Sequence, residues 1–420
     1  MKELSLKRNF LFYFFLLCPL ALLPVDELMM DSDSGGHIVN YLSVVLVFLF
    51  VLLFPPVTVN RTIINIFVML VGILAINNLF APYASNKIFL NQVGFVLCSF
   101  IVATTYATVT EEQKNKLQRL VEKAGLLGLG VLLLCSFYLI MWHFDLLERA
   151  LITGDFNSFI YELSKLLNWE KQSLGNFAAL IFSVIFVLKR RIWLTLLIPC
   201  IPMLAGIRVL SLGAVSAVLL VGIKRKKNLL WIIPVIFILS FVVYNKAFVS
   251  GFERLGYDIR IISFLNAFDI VKQMPFGVGL GGYHVYALQN ESYLIREFQT
   301  YYEVYKQIPT APESDIVAVF GSLGVFLGGI FYAVNLWVAV KLYQNYNNLS
   351  NIDKVFSFNF FLFLFLGTFQ DNMFSLFHWI YFGFALGTLV ANSYRKPSQV
   401  VKYGSSAESV GKSRIRKITK

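Results

Sequence analysis

Charge is what this chain has least of. Charged residues make up 14% of it against 57% apolar, and the mean hydropathy is +0.69, a balance that places most of the chain in a bilayer. Cysteine is also scarce. Cys18, Cys98, Cys135 and Cys200 all fall inside long apolar runs, too deep for a disulfide framework and without metal-ligand spacing, so they read as packing residues. No internal repeat is present, and the glycine cluster PFGVGLGGY lacks the Gly-Lys-Ser/Thr of a phosphate loop. The first apolar stretch, Phe10 to Val25, has a basic flank at Lys7 and Arg8 but no small-residue cleavage pattern after it. It reads as an uncleaved first helix.

What is there is a run of apolar segments that predicts an all-α polytopic membrane protein of about twelve spans. They fall at roughly 9–25, 37–54, 62–82, 88–109, 124–142, 173–188, 192–207, 209–223, 229–248, 315–340, 355–369 and 373–392. With the N-terminus inside, the inner loops collect most of the 36 Lys and Arg: Lys2, Lys7, Arg8, Arg61, Lys114, Lys116, Arg119, Lys123, Lys189 to Arg191, Lys224 to Lys227, Lys341, Lys354 and the basic tail. The acidic residues kept there are only Glu3, Glu111, Glu112, Glu122, Asp353 and Glu408. That asymmetry fixes the orientation, with both termini inside. The net charge of +12 is therefore a signal of topology and lipid headgroups rather than of nucleic acid. Residues 1–392 read as one integral membrane domain, and 393–420 as a basic, disordered tail drawn to the inner leaflet.

Two outer segments, 143–172 and 249–314, exceed what a connection needs, and a loop of the second length implies function. Within it, Ile261, Phe264, Leu265, Phe268 and Val271 recur at helical spacing, with Asn266, Asp269 and Gln273 opposite. That spacing predicts an amphipathic helix at the outer surface, stopping before Pro275. Gly277, Gly279, Gly281 and Gly282 then permit tight turns that let loop and membrane helix pack closely. A second, more polar helical stretch, about 287–306, carries tyrosines. Tyr283, Tyr293, Tyr301 and Tyr302 read either as interfacial anchors or as ring faces and hydroxyls for a glycan.

Three outer charges stand apart. The run from Ile192 to Ile223 is too long for one helix and short for two, so two short helices meet at Arg208, which either snorkels to headgroups or forms an anion site. Arg260, with Arg254 upstream, opens the amphipathic helix as a headgroup or phosphate contact. Glu313, in Ala311-Pro312-Glu313-Ser314-Asp315, is either a helix-start carboxylate, with Ser314 or Asp315 as N-cap, or a functional acid. His284 is an alternative base. Asp31 and Asp33 form an Asp-x-Asp that offers a weaker, divalent-metal reading.

The series Arg260, amphipathic helix, Pro275-Phe276-Gly277-Val278-Gly279, polar stretch, Pro312-Glu313-Ser314 and FGSLGVFLGG resembles the O-antigen polymerase and O-antigen ligase superfamily of bacterial membrane glycosyltransferases. The segment AGIRVLSLGA around Arg208 is similar to that family's arginine beside a short helical hairpin. The resemblance covers roughly residues 170–390. It implies a GT-C-like, metal-independent enzyme without cofactor in the bacterial inner membrane, its active site facing the periplasm. The donor would be an undecaprenyl-pyrophosphate-linked glycan, and a chain-length regulator protein a possible partner beside the bilayer lipids. Many of the ligases have His-Asn where this chain has Glu313-Ser314. A glutamate there looks more like the polymerases that extend O-antigen, capsule or exopolysaccharide repeats, with the ligase as the alternative.

Chemistry agrees with that expectation. A pyrophosphate leaving group needs stabilisation, and arginine forks at Arg208, Arg260 and Arg254 would supply it without a metal–nucleotide apparatus. An attacking sugar hydroxyl needs a base, which Glu313 offers. A transporter or lipid-glycan flippase is the reading from another class, disfavoured by spans that hold almost no ionisable residue apart from His378. Reporter fusions test the orientation: those after Asn290 and Gln370 are expected to read periplasmic, and those after Lys226 and Lys402 cytoplasmic. A cytoplasmic signal after Asn290 reverses the topology and removes the glycosyltransferase reading.

Overall fold

A computed structural model describes residues 59–142, 144–154, 181–189, 252–289, 314–367 and 374–394. The described residues are mostly helical, with no strand among them. In chain order the α-helices are α1 (Arg61–Phe80), α2 (Asn86–Ala107), α3 (Glu111–Trp142), α4 (Phe144–Thr153), α5 (Phe252–Gln273), α6 (Gly282–Gln289), α7 (Asp315–Asn345), α8 (Asn351–Gly367) and α9 (Leu376–Tyr394). A short π-helical stretch, Ile185–Lys189, lies between α4 and α5. Three stretches, Arg61–Phe80, Asn86–Ala107 and Asp315–Asn348, are long and apolar enough to cross a membrane, the mark of a membrane protein. The expected spans at 9–25, 37–54, 192–207, 209–223 and 229–248, and the tail, lie outside the described residues.

Local chemistry sets the helix ends. Asn60 caps α1 by accepting from the Thr62 amide at 2.6 Å, and the helix stops just before Pro82, which cannot continue it. At the start of α3, the Thr110 amide donates to Gln113 Oε1 at 2.8 Å and the Gln113 amide to Thr110 Oγ1 at 3.4 Å. This reciprocal capping box, with Glu111 and Glu112 in the first turn, starts the helix at Glu111 rather than at the expected 124. The basic cluster from Lys114 to Lys123 therefore lies on a helix and not on a loop.

Small residues bring α2 and α9 together. Gly383 and Gly387, four apart on α9, face Ser99 and Ala103 of α2 so closely that a Cβ on either glycine would lie 2.6 Å from Ser99 O or 2.8 Å from Ala103 O. In a bilayer, where the hydrophobic effect between helices is absent, such small-residue seams let backbones approach and maximise dispersion contact. Aromatic rings fill the space beside the seam: Phe356 stacks on Phe384 at 4.1 Å, and Tyr106 meets both edge-on.

A buried ion pair fixes one end of this bundle. Lys114 Nζ donates to both carboxylate oxygens of Asp353, at 2.9 and 2.8 Å, and Tyr106 OH donates to Asp353 Oδ1 at 2.7 Å. Both charged side chains are buried, and Lys114 also sits over the Tyr106 ring at 5.3 Å. The contact joins the start of α3 to the start of α8. Lys116 and Glu112, by contrast, form an exposed pair, and its hydrogen bond holds the Glu112 carboxyl below its usual range. At the opposite end of α2, Gln92 Nε2 donates to Phe374 O at 2.8 Å, and Gln92 Oε1 accepts from Trp379 Nε1 at 3.3 Å.

The single straight span expected over 315–340 is not what forms. Gly324 has φ 72° and ψ −178°, and the chain reverses there. Phe320 stacks on Tyr332 at 5.7 Å, and a Cβ at Gly328 would lie 3.3 Å from Val319 O, contacts that a straight helix would hold far apart. The stretch 325–345 alone, about 31 Å long, is the part of α7 that matches a membrane crossing.

Removing one member of the buried ion pair leaves the other uncompensated. Asp353→Asn or Lys114→Met is expected to destabilise the protein by about 3–5 kcal/mol, and the double change Lys114→Met with Asp353→Leu to recover most of it. Thermal unfolding of the purified protein in detergent reads the difference.

Candidate active site

The bend in α7 is built against a loop. Unwinding at Gly324 frees backbone groups that a bilayer would leave unpaired, and residues 275–280 meet them. The amides of Val278 and Gly279 donate to Gly321 O and Ser322 O, at 2.9 and 3.0 Å, and the Val325 amide donates to Pro275 O at 3.1 Å. On the other edge the Tyr83 and Ser85 amides, between α1 and α2, donate to Val278 O and Leu280 O at 3.0 and 3.1 Å. Three stretches of non-helical backbone thus satisfy one another.

Glycine makes the approach possible. Gly277 (φ 76°) and Gly324 (φ 72°) face each other in the left-handed region. A Cβ on Gly277 would meet Ser322 O, and one on Gly324 would meet Pro275 O. Gly279 (φ 100°) lies against Ala84 and Gly281 (φ 75°) against Ile88. Asn77, wholly buried on the last turn of α1, binds both partners: its Nδ2 donates to Phe276 O and to Ser322 O, each at 2.8 Å.

The loop hands α5 to the first segment of α7. Ile270 lies against Gly321 and Pro275 against Val325, so the two helices run side by side in the same direction. Continued back along α5, Ser263 comes level with the start of α7, and Arg260 one turn beyond it. Ser263, Asn266, Ala267 and Ile270 form the buried strip of α5, and Arg260 and Arg254 lie on the same helix. The apolar stripe of α5 turns away from the protein, with Phe264 52% and Phe268 56% exposed, while Asn266 faces inward and donates to Tyr283 OH at 3.1 Å.

The start of α7 is set below the rim formed by the α1–α2 loop. Ser314 is its N-cap, its Oγ accepting from the Val317 amide at 3.3 Å. Asp315 is buried and rests directly on Gly367, the last residue of α8. The α8–α9 junction in turn meets Gln92, six residues or about 9 Å down α2.

No family model matches the chain, and no curated protein matches it. Of the candidate residues, Arg208, Glu313, Tyr293, Tyr301, Tyr302, Asp31 and Asp33 lie outside the described residues, though Glu313 directly precedes the Ser314 cap. Arg254 and Arg260 are placed by their helix. Tyr283 is buried, its ring on Gly321 and its hydroxyl donating to Ser263 O at 3.3 Å, so in this arrangement it packs the α5–α7 contact. His284 is exposed on the first turn of α6. Sequence reasoning does not single out Asn77, and it names Asn266 only on the polar side of a helix and Asp315 only as a possible cap. Their one signal is a polar residue in apolar surroundings.

The glycines give a direct test. Gly277→Ala and Gly324→Ala are expected to lose about 1–2 kcal/mol from φ alone, with more from the backbone overlap. Gly94→Ala and Gly130→Ala, where a Cβ meets nothing within 4 Å, should be neutral or stabilising by up to about 1 kcal/mol. Thermal midpoints in detergent compare the two pairs.

Proposed function

We propose that this protein is a polysaccharide polymerase of the bacterial inner membrane, joining polyprenyl-pyrophosphate-linked oligosaccharide repeats at the periplasmic face. One observation carries the reading: the helix bearing Arg260 runs alongside the helix whose cap follows Glu313, and the glycine loop between them in sequence is bonded to both the bend and the rim. That arrangement supports assigning Arg260 and Glu313, which adjoins the Ser314 cap, to one site.

Arg260 and Arg208 hold the pyrophosphate through bidentate forks. Glu313 takes the proton from the acceptor hydroxyl as that oxygen bonds to the donor's anomeric carbon. The bond between that carbon and the pyrophosphate oxygen breaks, and the lipid pyrophosphate leaves with the electron pair. Transfer to a lipid A-core or other acceptor uses the same residues and is the ligase version of this chemistry. The reversal at Gly324 and the buried contact of His378 Nε2 with Asn335 Oδ1, at 3.1 Å, are features that transporters share, and they support a transporter or flippase as the second reading.

Extension of a lipid-pyrophosphate repeat by purified protein in EDTA separates these. Glu313→Gln should lower the rate by about 10²-fold or more, and Glu313→Asp should keep a fraction. Arg208→Ala and Arg260→Ala should abolish extension, Arg→Lys should restore part of it, and Arg254→Ala should be milder. Full activity of the Gln variant removes Glu313 as base and makes His284 the next residue to change. No extension by wild type, with lipid-linked glycan moved across vesicles instead, selects the transporter.

A further inference from the structure

We infer that Asn77 is a positioning residue for this reaction: one carboxamide on α1 that locks the glycine loop to the bend of α7 and so sets the helix of Arg260 against the helix start beside Glu313. The inference rests on the functional reading above, but the lock itself stands on geometry alone.

Asn77 is far from both halves in sequence, yet its two amide hydrogens are divided between them, one to Phe276 O in the loop and one to Ser322 O in the bend. No other described side chain donates to both. Its Oδ1 is buried without a hydrogen-bond partner, so the amide is oriented by its two donations and by nothing else polar. The carbonyls it serves differ in what else they receive. Ser322 O also accepts from the Gly279 amide, whereas the Phe276 carbonyl is otherwise left to Asn77 among the described contacts. Without the donors, a part-buried carbonyl at the tip of the loop would lack its protein partner, and the loop would relax away from the bend. Because α5 leads directly into Pro275 and α7 reverses at Gly324, a shift of that loop moves the two helix ends relative to each other. A misplacement of about 1 Å in a reacting constellation costs on the order of 10²-fold in rate.

Asn77→Asp tests this at constant size, since a carboxylate offers no donor to either carbonyl. Asn77→Gln keeps the donors on a stem one methylene longer. Each variant is purified as the full chain, and kcat and KM for a lipid-pyrophosphate repeat are measured beside amide hydrogen exchange. The expected result for Asn77→Asp is kcat lower by about 10²-fold with KM within about threefold, faster exchange confined to 274–282 and 320–326, and partial recovery of kcat in Asn77→Gln. Wild-type kcat in the Asp variant overturns the inference, as does faster exchange spread through α2 and α9, which would mark a general folding role. If wild type extends no repeat, the glycosyltransferase reading fails and exchange decides the lock alone: local acceleration sustains it, and an unchanged pattern overturns it.

Discussion

Backbone hydrogen bonding is the constraint on which this molecule turns. A bilayer offers no partner to an unwound peptide group, so breaking α7 at Gly324 is affordable only where other backbone supplies the lost bonds. The loop 275–280 does so, and it is paired in turn with the α1–α2 loop. Two glycines at positive φ bring the strands within reach, and one asparagine tethers them. Everything proposed about the site follows from this junction, because it connects α5, α7 and the rim.

The rest of the bundle answers the same constraint by other means. Where helices stay regular, several of the buried polar side chains are paired across them. Asp353 is buried but bonded to Lys114 and Tyr106, Gln92 bridges Phe374 and Trp379, and Asn335 meets His378. Between these contacts the core is aromatic and tightly fitted. Lys114 and Asp353 also tie helix starts that hydropathy treats as unrelated, and they place both at one end of the bundle.

Regular helices were legible because local chemistry determines them. An Asn cap and a following proline delimit α1, and the edges of α2, α8 and α9 lie within a few residues of the hydropathy runs. The reversal in α7 was not, since both of its segments are apolar and a hydropathy sum carries no direction. Its trace was the glycine spacing in FGSLGVFLGG. For α5, periodicity revealed an apolar stripe but not which way it faces. A reader expecting polar residues outward places Asn266 on the wrong side, because next to lipid the exposed face is the greasy one. Glu313, Arg208 and the tyrosines at 293, 301 and 302 fall in segments beyond the described residues, so their arrangement rests on chain order and on the helices that flank them.

The small-residue seam between α2 and α9 carries a consequence in time. During synthesis α9 emerges after every other described helix, and until it arrives Ser99 and Ala103 of α2 have no backbone to lie against. The α1–α2 turn that receives the glycine loop hangs from that unsupported helix. The functional corner, although its parts are made earlier, therefore matures last, when the final helix docks.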